Sequence, residues 1–209
     1  MHKQGVKYKM IAKKYSSGLV AESCWFIEFK EYLKLRKKGL SDEDIKKEII
    51  DTNLFGAPNA YRSQRIYGYI KHRADTLDEK GVKLFFDSDL STQKLINLIC
   101  ILRTSRIFFE FVNEVYKEKV ILGAETIEPS DVSIFFKNKF VQSEEVAEWK
   151  VPTIKRISNS FLNMLTESNL LVDRDKHKYI KTPIIDILLE KYLESNGESD
   201  IIKAMTGEY

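Results

Sequence analysis

Lys150, Thr153, Lys155, Arg156 and Asn159 fall within ten residues of one another, and Arg174, Lys176 and Lys178 follow in a short polar stretch. Ammonium and guanidinium groups neutralise phosphates, while hydroxyl and amide side chains reach base edges, so this set could hold nucleic acid. Residues 150 to 182 carry seven basic residues against Glu167, Asp173 and Asp175. Such an excess gains affinity by releasing counterions from DNA, whatever its sequence. The same stretch is also a plain amphipathic helix with a hairpin, a pairing that serves for protein docking too. Asp173 and Asp175 count against the hairpin tip as a phosphate clamp.

Catalytic chemistry finds less support. His2, His72 and His177 are scattered, with no cysteine or carboxylate at metal-ligand spacing. Neither a phosphate-cradling glycine loop nor a nucleophile elbow is present. Asp87 and Asp89 could hold a cation, as acidic pairs do in nucleases, but Asp89 just before a helix is more simply an N-cap. Asp42, Glu43 and Asp44 read the same way, as acids near a helix N-terminus. Cys24 and Cys100 sit in apolar runs that raise a thiol pKa, and they suit reduced core residues better than nucleophiles or a disulfide. The expectation is a non-enzymatic protein with no cofactor and no metal.

The elements that must position the basic set can be read from spacing. Ser143 to Trp149 is a short amphipathic segment that ends at Val151-Pro152, where the next helix begins. Ile154, Ile157, Phe161, Leu162 and Leu165 then follow a helical period, which turns Thr153, Lys155, Arg156, Asn159, Ser160 and Asn163 outward. Leu170 to Val172 is expected as a strand, Asp173 to His177 as a polar turn, and Lys178 to Lys181 as the returning strand. Together these are the parts of a winged helix-turn-helix, whose second helix enters the major groove by its N-terminal end.

Upstream, residues 1 to 15 are expected as a basic arm and Leu19 to Lys38 as one amphipathic helix closed by Gly39. Ser41 with Asp44 resembles a capping box opening a helix to about Asp51. After the turn NLFGAPN, a helix from Asn59 to about Leu77 holds Arg62, Arg65, Lys71 and Arg73 with no acid before Asp75. It is a candidate second basic surface, with Arg62 and Arg65 as its DNA contacts, or simply a solvated helix face. Tyr61, Tyr67 and Tyr69 could stack on bases, although aromatics at helical spacing usually fill cores. Leu90 to Arg103 and Thr104 to Leu122 are expected as the buried central pair of helices. The stretch GAETIEP, residues 123 to 129, marks the expected boundary between an N-terminal helical domain (1 to 126) and a winged domain (127 to 209). Ser130 to Val141 would open the latter. Ile184 to Leu193 would be the final helix, followed by a frayed tail, and strands are confined to the wing.

A net charge of +3 over 209 residues does not itself announce nucleic acid, but its distribution is uneven. Ten basic residues face three acidic ones over residues 1 to 38, while six acidic residues face two lysines from Asp186 onward. This asymmetry suits a protein that grips a polyanion on one side and keeps other faces for partners. LINLICIL, residues 95 to 102, is stopped by Arg103 well short of the ~20 apolar residues of a membrane span. The N-terminal MHKQGVKYKM lacks an apolar signal core. The expected setting is therefore cytoplasmic.

The order of SSGLVAES, NAYRSQRIYGYIKHRADTL, LINLICILRTSRIFFEFVNEV and EEVAEWKVPTIKRISNSFLNMLTESNLLV, from about Gly18 to Tyr179, resembles the BrxA family of BREX phage-defence systems. That resemblance implies a small, mostly helical, non-enzymatic component that binds double-stranded DNA. Its partners would be other BREX components, among them a methyltransferase and a large ATPase. Family members have been labelled inner-membrane proteins, a label this sequence does not support. The helical body has been likened to RNA antitermination factors of the NusB type, an analogy of fold alone. A protein-docking adaptor and an RNA-binding helical protein are the rival expectations.

Overall fold

The computed structural model describes residues 13–208. All but the end of the expected basic arm lies outside them. The described chain is mostly helical, as expected, with one small antiparallel sheet.

A 3-10 turn over Gly18–Ala21 leads into α1 (Phe26–Lys37), then α2 (Asp42–Asp51), α3 (Ala60–Ala74), α4 (Glu79–Asp87) and α5 (Leu90–Thr104). α6 (Arg106–Phe111) runs through a π turn (Val112–Tyr116) into α7 (Lys117–Ile121). The strand β1 (Thr126–Ile127) precedes α8 (Pro129–Gln142), α9 (Glu144–Ala147) and α10 (Val151–Glu167). A hairpin of β2 (Leu171–Arg174) and β3 (His177–Ile180) and two helices, α11 (Ile187–Ser195) and α12 (Ser199–Thr206), complete the fold.

Caps define many of these boundaries. Ser41 Oγ accepts from the Asp44 amide, Asn59 Oδ1 from Arg62, Asp89 Oδ1 from Thr92 and Ser105 Oγ from Phe108. Each satisfies an amide that the helix start leaves orphaned. Asp89 is thus an N-cap, while Asp87 pairs with Lys83. Pro129 opens α8, and the Glu128 amide donates to Asp131.

Four expectations need correction. The helix expected from Leu19 starts only at Phe26, because the Cys24 carbonyl is taken by side chains: Arg73 donates to it at 3.0 Å and Asn97 at 3.0 Å. The helix expected to reach Leu77 stops at Ala74. The stretch GAETIEP, expected as a domain boundary without a strand, also forms one. It contains β1, which pairs with β3 in register Thr126↔Tyr179 to give the sheet order β1-β3-β2, so strands are not confined to the hairpin. Finally, the tail is no frayed end: α12 buries Ile201, Ile202, Ala204 and Met205, and Arg103 clasps Glu198 with two nitrogens.

Aromatic rings fill the centre. Phe161 of α10 stacks on Phe108 at 4.9 Å and lies 5.0 Å from Phe111 and 6.1 Å from Phe136, while Phe111 meets Phe135 edge-on at 5.3 Å. These contacts fix α10 against α6 and α8. Each ring pair adds about 0.5–1.5 kcal/mol to the gain from burial.

Three cations are buried among the described residues, and each has its carboxylate: Arg103 in its clasp with Glu198, and the two deeper ones, Arg73 and Lys139. Arg73 is 0% exposed and meets Glu22 at 2.6 Å. Lys139, 2% exposed, lies 2.6 Å from Glu110 and 2.7 Å from Glu114. Glu110 also accepts from Arg106 at 2.7 Å and from the Tyr15 hydroxyl at 2.8 Å. Burial alone would raise the Glu110 carboxyl, but the hydrogen bonds from Lys139, Arg106 and Tyr15 outweigh it and hold it below the ordinary glutamate value. A depressed folded-state pKa contributes stability that is present above the unfolded value and lost as pH falls through the folded one. Glu110→Gln should therefore cost about 3 kcal/mol in urea unfolding at neutral pH, at the low end for a broken buried pair because Glu114 remains. The deficit should shrink as pH falls below the ordinary glutamate pKa of about 4.3. A deficit independent of pH would show that packing, not charge, is what Glu110 supplies.

Helix α4 approaches α11 over Gly81, where an added Cβ would stand 2.5 Å from the Tyr192 hydroxyl and 3.0 Å from Leu77. Gly81→Ala should destabilise the protein by about 1–3 kcal/mol in the same assay, despite the helix propensity it gains.

Candidate nucleic-acid interface

Helix α10 buries Ile157, Phe161, Met164 and Leu165 and turns the opposite face to solvent. Lys155, Arg156, Asn159 and Asn163 are exposed there, with Thr153 and Ser160 half-buried at its edge. Lys150 is the exposed N-cap residue. Its side chain makes no capping bond, the first turn holds no acid, and Pro152 lies within that turn. The positive end of the helix dipole is therefore left uncompensated. Lys150, Lys155 and Arg156 form no ion pair among the described residues.

The hairpin is differently committed. β2 pairs with β3 in register Asp173↔Lys178, and the turn is Asp175-Lys176, both at positive φ (51° and 65°). Lys176 is exposed at this tip and has no ion-pair partner among the described residues. Arg174 lies over the Tyr179 ring at 4.3 Å and 3.8 Å from Asp175. Lys178 is half-buried, 2.7 Å from Asp173 and 3.3 Å from the Thr166 hydroxyl, so its charge is already answered within the hairpin. His177 Nδ1 lies 3.6 Å from Glu128. The hairpin base is held at the C-terminal end of α10, where the Lys181 amide donates to the Leu170 carbonyl.

Arg62 and Arg65 stand on α3. Arg62 is half-buried over the Trp25 ring at 5.6 Å, and Arg65 is exposed, 6.0 Å from the Tyr61 ring and 3.5 Å from the Tyr69 hydroxyl. The structure thus unites Lys150, Thr153, Lys155, Arg156 and Asn159 on one helix, sets Arg174 and Lys176 on the hairpin, and puts Arg62 and Arg65 among aromatic rings.

Two features escaped the sequence reading. One is a largely apolar groove of about 630 Å³ between α8 and α10, lined by Phe136, Phe140, Trp149, Val151 and Leu162 with Lys155 and Asn159 at its edge. The exposure of Phe140 was the hidden element: its place in a helical period suits a core position equally well. The other is Trp25, which stacks on Tyr69 at 5.8 Å. Expected inside a helix, it instead holds a left-handed conformation at φ 47°.

Burial pushes the Cys24 thiol up to about 11, aided by Glu167, and burial raises Cys100 too. Neither is a thiolate at neutral pH. Among the described residues no group of three or more His, Cys, Asp or Glu is placed to hold a metal ion, and no helix is long and apolar enough to cross a membrane.

Comparison with known proteins agrees with this architecture. The fold is that of an uncharacterised protein from Magnetospirillum magneticum known from a crystal structure: the TM-score is 0.79 at 14% identity, covering 94% of this chain and all of that one. A BREX protein BrxA from Bacillus cereus (strain H3081.97) is 29% identical over 194 residues, 93% of this chain and 97% of that protein. The model of the BrxA family matches residues 13–197, and with that span the chain belongs to the BrxA family.

Proposed function

We infer that this protein is a DNA-binding component of a BREX-type phage-defence system, that it works without catalysis in the cytoplasm, and that it grips duplex DNA mainly through phosphates. The observation that carries the reading is the exposed face of α10. Three cations without partners among the described residues, two amides and an uncapped helix start lie together on a helix fixed from behind by aromatic packing. In this reading residues 127 to 209 act as a winged helix-turn-helix, α10 is its recognition helix and the hairpin its wing. Lys150, Lys155 and Arg156 meet phosphates, and Thr153 and Asn159 face the groove. From Lys155 to Thr166, where Lys178 docks, the helix runs about 16 Å, comparable to a major groove of about 12 Å with its flanking phosphates.

Lys176 lends further support. A lysine at φ 65° is strained by about 1–2 kcal/mol relative to glycine, and a turn with two positive-φ residues ordinarily ends in glycine. A strained cation kept at an exposed tip suits a contact to phosphate.

The groove between α8 and α10 favours a second reading, in which this domain docks another subunit of the defence assembly, such as its methyltransferase or ATPase. Co-purification that survives nuclease and high salt would select that reading over the first.

A Lys155→Ala, Arg156→Ala double variant should fold normally and lose duplex affinity, with its salt dependence flattened by about two units on a logarithmic plot. Unchanged affinity at moderate salt in a folded variant would remove α10 from the interface. Lys176→Gly separates strain from contact. Its urea midpoint should hold or rise, by about 0.5 kcal/mol in stability, while DNA affinity falls.

A further inference from the structure

Helix α3 carries a surface that the duplex reading does not use. Tyr61, Arg65 and Tyr69 recur every fourth residue on one face, and with Gln64, Gly68 and His72 they enclose a shallow groove of about 460 Å³. Tyr61 is 72% exposed. Arg65 lies beside both tyrosine rings, at 6.0 Å from the Tyr61 centroid and 3.5 Å from the Tyr69 hydroxyl. Trp25 extends the array by stacking on Tyr69 at 5.8 Å, with Arg62 over its ring at 5.6 Å. From Asn59 to Ala74 the helix contains no acidic residue.

Gly68 is the informative position. It sits in the middle of a fifteen-residue helix, exposed, without a positive φ, and an added Cβ would meet nothing within 4 Å. Glycine is a poor helix residue, and neither backbone geometry nor packing among the described residues requires one here. What it does provide is an open floor between two tyrosines.

We propose that the Tyr61-Arg65-Gly68-Tyr69 face is a binding site for single-stranded nucleic acid, in which an unpaired base lies over Gly68 against the tyrosine rings while Arg65 and Arg62 meet the neighbouring phosphates. Every base has a flat π face, so stacking of this kind is tolerant of sequence, and the arginines supply the charge that follows the backbone. A duplex keeps its bases stacked on one another and cannot offer one to such a floor, which separates this site from the α10 face. The site stands whether or not α10 binds duplex.

The test uses the full chain and three labelled probes: a short single DNA strand, the RNA of the same sequence, and the DNA duplex. Gly68→Leu fills the floor and trades glycine for a better helix former, so it should fold at least as stably as the parent. It should weaken single-strand binding about tenfold or more, as should Tyr61→Ala, and both should leave duplex binding unchanged. Loss on DNA, on RNA or on both supports the site and names the strand it serves. Single-strand affinity unchanged in Gly68→Leu overturns the proposal. So does an equal loss on duplex and single strand, or a single-strand affinity that depends on Lys155 and Arg156 instead.

Discussion

Burial of the Arg73 guanidinium is the constraint on which much of this structure depends. A cation with no exposed surface must be answered on the spot, and breaking such a pair costs about 3–5 kcal/mol. The answer comes from the strap between the first 3-10 turn and α1: Glu22 supplies the carboxylate and Cys24 its carbonyl. Because that carbonyl is also bound by Asn97, it cannot begin a helix, and the strap stays non-helical until Phe26. The Cys24 thiol lies 4.0 Å from the Ser168 hydroxyl, just past the end of α10. One buried cation therefore joins α3, the strap, α5 and the C-terminal end of α10. It also lies 5.4 Å from the Trp25 ring, which it helps to hold beside α3.

The second of the two deeper cations acts at the other side of the aromatic layer. Lys139 draws α8 onto Glu110 and Glu114, while Phe135 and Phe136 of the same helix meet Phe111 and Phe161. Helix α10 is thereby fixed by its inner face alone. None of Lys155, Arg156, Asn159 or Asn163 makes a hydrogen bond to another described side chain that the fold needs, so their types answer to solvent or to a ligand. This is why the outward set carries a functional argument and the inward set does not.

How much of this could be read beforehand follows the range of the forces involved. Local rules placed the caps at Ser41 and Asp89, the start of a helix at Asn59, the start of α10 near Pro152 and the hairpin, because each rests on neighbours within a few residues. The break before Phe26 was out of reach, since its cause lies 49 and 73 residues away in Arg73 and Asn97. The strand at Thr126–Ile127 was missed because two residues carry no period, and its partner is more than fifty positions distant. Helix α12 was legible in principle: Ile201, Ile202 and Met205 have helical spacing, but eight residues without a side-chain cap gave no start signal. At the candidate site the basic residues of α10 were found by their period. That Lys178 is answered by Asp173 and that Trp25 joins Tyr69 depends on pairing and on the strap, which spacing does not encode.

Natural sequences obey local preferences nearly everywhere, so the places where they do not are informative. Several described non-glycine residues sit at positive φ; Asn53, Asn169 and Asp175 belong to the types that tolerate it, while Trp25 and Lys176 do not. Gly68 breaks the complementary rule by occupying a helix interior with room for any small side chain. Trp25 has a structural cause in the Arg73 node. Lys176 and Gly68 have none among the described residues, and each lies on an exposed surface beside cations. At both positions the residue runs against local preference without serving the packing of the described fold, which is the pattern expected of residues suited to contact with a ligand.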